Sequence, residues 1–291
     1  MTQIIKLEGG NTRKSIATWN NHKEDFTDPT YILITRNDTD MIERGYFQQS
    51  NHEYSDGTSS VIAPSLVIRN HWGDELWIDG CNCGYGGEGP HGSEKILKDI
   101  GLPREIIHQV FYRHVYELER KQEEDGTYEF IGDGSSKYTD NPTLNKGHIL
   151  IKDGNLIIQH KEKYSDLEDT IEFTKHYESH FLGSVKQCLI FASYDDVKEH
   201  GYTGFSTTMI GRRSLYKFIL FGEDNRQIWL NPMFDGKTQL IDEPSVRIIM
   251  SALGYDLGAT VHPKIEWIKK NILSIKPVNT TLTFHDETGG I

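Results

Sequence analysis

Six of the thirteen residues from Gly80 to Gly92 are glycine. The stretch reads Gly-Cys-Asn-Cys-Gly-Tyr-Gly-Gly-Glu-Gly-Pro-His-Gly and joins a strand-like segment to a helix-like one. Each glycine ordered there costs about 0.5–1 kcal/mol of backbone entropy relative to alanine in regular structure. A chain that keeps so many in one place needs unusual backbone angles or a close approach at that point.

The flanks set the local expectations. Ser65–Asn70 and Glu75–Asp79 carry β-branched and aromatic residues and read as two strands around a turn at His71-Trp72-Gly73-Asp74. Ser93 is placed to N-cap a helix over Glu94–Ile100, and Gly101 to end it. Pro103 opens the next helix, in which Ile106, Ile107, Val110, Phe111, Val115 and Leu118 recur at helical spacing.

Elsewhere, Thr30–Arg36 reads as a strand and residues 48–60 as a polar loop. Ile149–Lys152 and Asn155–His160 form a hairpin turning at Asp153-Gly154. Residues 175–186 read as helix, 188–193 as strand and 195–200 as a short helix. Residues 214–222 and 226–231 are strands, Pro244 opens a helix ending at Gly254, Pro263 opens another, and Thr280–Phe284 is a terminal strand. The polar run Lys121–Asn145 places a boundary near 145, between an N-terminal domain (1–145) and a C-terminal one (146–291). The expected class is α+β, with mixed or antiparallel sheets and packed helices. The order strand–turn–strand–loop–helix occurs in both halves, so the second domain is a candidate diverged duplicate of the first.

Bulk composition narrows the function. Asp and Glu total 43 against 31 Lys and Arg, a formal charge of −12. That field disfavours general capture of nucleic acid or anionic membrane and suits a basic protein surface. Three cysteines, two of them as Cys81-Asn82-Cys83, do not make a disulfide framework and suggest a reducing compartment, the cytoplasm. No apolar run approaches a membrane span.

Several chemistries can be placed on these residues. A helix starting in the glycine-rich stretch would offer free amides to an anion, with Gly86, Gly87, Gly89, His91, Gly92, Ser93 and Lys95 as a phosphate-binding set. The motif is not a P-loop, because no Lys-Ser or Lys-Thr follows the glycines. The same stretch also reads as a tight packing loop, or as a protein-contact loop with Tyr85, Trp72 and the basic pair Arg212-Arg213 as contact residues. Cys81 and Cys83 could join His71 and His91 around zinc, but two residues apart they also share a strand face. His176 and His180 stand one helical turn apart. Asp166, Glu168, Asp169 and Glu172 form an acidic run. None of these amounts to a coherent catalytic set, and no cofactor or metal is called for. The expectation is an acidic regulatory protein, homo-oligomeric, that acts on a protein partner and inhibits a nucleic-acid-acting enzyme by covering its basic surface. The alternative is binding of a nucleotide or another phosphorylated small molecule at Gly80–Ser93.

Overall fold

A computed structural model describes residues 3–6, 10–120, 128–130, 147–160, 167–205, 213–234, 240–255 and 281–285. The helix expected from Pro263, most of the connector Lys121–Asn145, and Asp166 and Arg212 lie outside the described residues. The fold is mixed α+β, with antiparallel and parallel strand pairs and packed helices. The chain divides into two units, one of residues 1–49 and 61–141, the other of 50–60 and 142–291.

The first unit runs β1 (Ile4–Lys6), α1 (Thr12–His22), β2 (Pro29–Thr35) and α2 (Asp38–Glu43). The hairpin β3 (Gln48–Glu53) and β4 (Thr58–Ile62) interrupts it. It resumes with β5 (Leu66–Asn70), β6 (Glu75–Ile78), α3 (Glu88–Ile100), α4 (Arg104–His108), β7 (Val115–Arg120) and β8 (Tyr128–Phe130). Its sheet has the order β1-β6-β5-β2-β7-β8, with β1 parallel to β6 and the other pairs antiparallel. Ile32, Ile34, Leu66, Ile68, Leu76 and Ile78 alternate along their strands and bury one face in a core shared with Trp19, Ile96 and Leu97.

The second unit runs β9 (Gly147–Lys152), β10 (Asn155–His160), α5 (Leu167–Tyr177), β11 (Gln187–Phe191) and α6 (Tyr194–Glu199). There follow β12 (Thr203–Phe205), β13 (Arg213–Leu215), β14 (Phe218–Phe221), β15 (Arg226–Leu230), α7 (Pro244–Ala252) and β16 (Thr281–His285). Its sheet has the order β16-β11-β14-β15-β10-β9-β4-β3. The segment 48–60, expected as a loop, therefore forms two hairpin strands around a turn at 54–57. Thr58–Ser60 pairs with β9, and this long-range pairing satisfies the backbone of a polar sequence whose local preference is for turns.

The order β1-α1-β2-α2-β5-β6-α3-β7 recurs as β10-α5-β11-α6-β14-β15-α7-β16. In each unit the strand before the last major helix lies between a parallel neighbour (β1, β10) and an antiparallel one (β5, β14). The final strands differ, since β7 runs antiparallel to β2 and β16 parallel to β11.

Two local expectations are corrected. The helix after the glycines starts at Glu88, not Glu94, and Ser93 lies inside it. The helix from Pro103 stops after one turn of α4 and one 3₁₀ turn, and Val115 and Leu118 belong to β7. Val115–Arg120 also alternates at period two, and pairing with β2 selects that period over the helical one. The run 214–222 divides between β13 and β14. Gly101 caps α3 in the left-handed region at φ 90°, as expected.

Candidate functional site

The glycine-rich loop is held from below by α1. Asn11 caps that helix by accepting from the Lys14 amide at 3.0 Å. Thr12 then donates its hydroxyl to the Gly80 carbonyl at 2.8 Å, and Ser15 donates to the Asp79 carbonyl. The start of α1 thus lies against the end of β6. Gly80 has φ +78°, and a Cβ there would stand 2.7 Å from the Asn11 carbonyl carbon. At Gly92 a Cβ would stand 2.5 Å from Thr12 Cγ2 and 2.8 Å from Cys81 Sγ. At these positions the glycines serve close packing of helix on strand.

The set proposed for phosphate falls into two environments. Gly89, Gly92 and Ser93 are buried, and the Ser93 hydroxyl donates to the Asn82 carbonyl at 2.8 Å. Gly86, His91 and Lys95 are exposed, and Gly87 is half-buried as the N-cap of α3. His91 Nδ1 lies 3.0 Å from Glu94, which also pairs with Lys98 at 2.6 Å. The hydrogen bond from Lys98, and then that from His91, hold the Glu94 carboxyl below its usual range. Exposed Glu88 heads the helix, where it would repel an anion. Substituting alanine at Gly87 or Gly89 would also bring a Cβ to 2.3 Å from the Tyr85 ring or 2.1 Å from Asn82 Oδ1. Gly86 meets nothing within 4 Å, which makes it the clean position for perturbing the loop.

Around this loop the first unit exposes aromatic and imidazole rings. Tyr85 is 38% exposed, with the Arg36 guanidinium 5.5 Å from its centroid, and Tyr112 is 67% exposed. Phe111 packs edge-on against His91 at 5.0 Å, and His108 bridges Phe111 and Tyr112 at 5.8 and 5.3 Å. Sequence reasoning expected Phe111 on the buried face of a helix, and it is half-buried against the core, but that reasoning missed Tyr112 and His108. The helical period read from Ile106 to Leu118 ran through both and hid them. Trp72, 70% exposed, lies tilted against the His71 ring in the turn at the opposite end of β6, so it does not join Tyr85. Arg213 opens β13 in the second unit.

Cys81, Cys83 and Cys188 are free and buried. Cys83 Sγ donates to the carbonyls of Ile34 and His114, both at 3.3 Å. Burial pushes the Cys81 thiol up to about 12 and raises Cys83 and Cys188 as well, so none is poised as a nucleophile. The native protein is expected to leave all three thiols unmodified by Ellman's reagent at neutral pH and to release them together on unfolding. Rapid native reaction at any one would contradict this packing. The linkage has a definite sign. Below the ordinary thiol value of 9.0 the raised Cys81 pKa costs nothing, and stability falls as pH rises from there toward about 12, where only the unfolded thiol ionises.

His71 and His91 are exposed while Cys81 and Cys83 are buried, and among the described residues no group of three or more metal-type side chains converges. His176 and His180 stack at 4.6 Å with an interplanar angle of 15°, where α5 passes into a π-helical turn over Glu178–Leu182. Glu168 and Asp169 lie in the first turn of α5. Among the described residues, no helix is long and apolar enough to cross a membrane. No family model matches the chain, and no curated protein or solved structure proved similar to it.

Proposed function

We propose that the protein is a non-catalytic binding protein that acts through protein–protein contacts on a cationic partner. The observation that carries this reading is the set of exposed rings beside the glycine-rich loop, Tyr85, Tyr112, His91 and His108, with half-buried Phe111 packed against the two imidazoles. Aromatic side chains supply large contact area at small entropic cost and are enriched in interface cores. Glu88 and Glu94 add carboxylates at the same surface, and the formal charge of −12 extends their field. Such a surface complements the basic channel of an enzyme that handles nucleic acid, and seated there it would block substrate entry. A homo-oligomeric state belongs to the same reading, and light scattering on the purified chain tests it.

A photo-crosslinking residue substituted for Tyr112 in cells is expected to yield one dominant protein adduct. The same residue substituted for Trp72, at the far end of β6, is not. Adding Tyr85→Ala should cut the yield by about tenfold, the effect of losing one interface anchor. Raised salt should weaken the adduct through charge screening. Identical adducts from both positions, or a yield indifferent to Tyr85→Ala, would remove this surface from the reading.

A further inference from the structure

The sheet face opposite α1 and α3 in the first unit holds a self-contained polar cluster. Arg69 Nε donates to Glu75 Oε1 at 2.8 Å, and its Nη2 donates to the Tyr46 hydroxyl at 2.7 Å. The guanidinium lies 5.0 Å from the Tyr31 centroid. The second oxygen of Glu75 accepts from Trp77 Nε1 at 2.8 Å. Tyr46 meets the Trp77 ring edge-on at 5.7 Å and 79°.

Strand register identifies the counterparts in the second unit. Arg69 pairs with Glu75 and Val67 with Trp77 across β5 and β6, as Phe221 pairs with Gln227 and Ile219 with Trp229 across β14 and β15. Trp229 Nε1 donates to Gln227 Oε1, again at 2.8 Å. Tyr202 meets Trp229 edge-on at 5.4 Å and 77°. It follows α6 and a left-handed Gly201, as Tyr46 follows α2 and a left-handed Gly45. The scaffold is the same, but the half-buried ion pair is gone. Phenylalanine stands for arginine and glutamine for glutamate.

The exchange inverts the hydrogen-bonding polarity. An indole N–H only donates, so it fixes the Gln227 amide with oxygen toward Trp229 and leaves the NH₂ as the second group. Where Glu75 offers an acceptor to Arg69, Gln227 offers donors. Among the described residues no guanidinium meets the Tyr202 hydroxyl, and burial raises its pKa, so it keeps its proton. Lys152 brings an ammonium to 5.8 Å from the Trp229 centroid and donates to the Gly201 carbonyl. A cleft of about 200 Å³ opens here, lined among others by Lys152, Tyr202, Gln227 and Trp229. Drug-sized ligands occupy about 300–1,000 Å³, so this cleft suits one side-chain-sized group and not a nucleotide.

We propose that this cleft binds a carboxylate carried by a peptide segment, with Lys152, the Gln227 amide and the Tyr202 hydroxyl as donors and Trp229 as the apolar wall. The exposed Asp153 at the rim opposes such a ligand, and Asp153→Asn should tighten it. The cleft belongs to the second unit and the exposed rings to the first, and the test below does not depend on that surface.

The test is an NMR titration that follows the Trp229 indole N–H, assigned by its absence in Trp229→Phe. Probes are N-acetylglutamate methylamide for a side-chain carboxylate, N-acetylglycylphenylalanine for a chain terminus, and the methylamides of N-acetylglutamine and N-acetylarginine. The expected result is a saturable shift with one or both carboxylates, which also names the source, and none with the glutamine or arginine probes. Gln227→Glu keeps an acceptor for Trp229 and restores the charge of Glu75, so the fold is expected to persist. It should weaken the carboxylate by about tenfold or more, the scale of one charge-assisted contact. Lys152→Met should do the same. Saturation by the arginine or glutamine probe, an unshifted indole with every probe, or unchanged affinity in Gln227→Glu would each overturn the proposal.

Discussion

Gly80→Ala is expected to lower the unfolding free energy by about 3–5 kcal/mol, combining a left-handed non-glycine residue with overpacking. Gly80 sits at φ +78°, and its new Cβ would meet Asn11 C at 2.7 Å, Asn11 Cα at 2.9 Å and Thr12 N at 2.9 Å. These are backbone atoms at the capped start of α1, so no side chain can rotate aside. Relief requires α1 to move off β6. That would break the Thr12 and Ser15 hydrogen bonds to the Gly80 and Asp79 carbonyls. Gly86→Ala is the control, with open space around it. A change there should stay within about 1 kcal/mol, the scale set by unfolded-state entropy. Urea unfolding read by circular dichroism compares the two. Equal costs would mean that the loop is not clamped by α1.

Trp19→Ala is expected to cost about 3–5 kcal/mol, the usual range for a buried aromatic truncated to alanine. Trp19 is 1% exposed on α1 and donates its indole N–H to Asp99 on α3 at 3.0 Å. It ties together the two helices that cover the first sheet. Trp19→Phe separates packing from the hydrogen bond. It keeps most of the apolar volume and gives up one bond, so it should cost only about 1–2 kcal/mol. Hydrogen exchange should show α1 amides losing protection in the alanine variant before those of β2 and β5. Uniform loss over the whole unit would argue that α1 and the sheet open as one.

The candidate surface was half legible from sequence. Tyr85 could be singled out because it stands among glycines in a stretch that must be surface-connected. Tyr112 and His108 could not, because a helical period ran through them from Ile106 to Leu118. That period competes with the alternation of Val115–Arg120, and single-sequence reasoning has no term for the partner strand that decides between them. The phosphate set failed to assemble for a related reason. Ser93 looks like an N-cap by residue type. The helix nevertheless starts at Glu88 because Gly89 and Gly92 let its first turns lie against Asn82, Cys81 and Thr12.

Local chemistry in the sequence determined β2, the β5–β6 and β9–β10 hairpins, the β14–β15 turn, and the stop at Gly101. Alternation, turn residues and a left-handed glycine act over a few residues and need no distant partner. Tertiary structure alone decided why the glycines are there, since the segment that presses on Gly80 is 68 residues away. It alone brought Arg69, Tyr46 and Trp77 together, and Tyr202, Gln227 and Trp229 in the matching place. Those residues come from separate elements joined through sheet register. Their exchange of a charged pair for a donor-lined cleft becomes visible only when the two sheets are laid strand on strand.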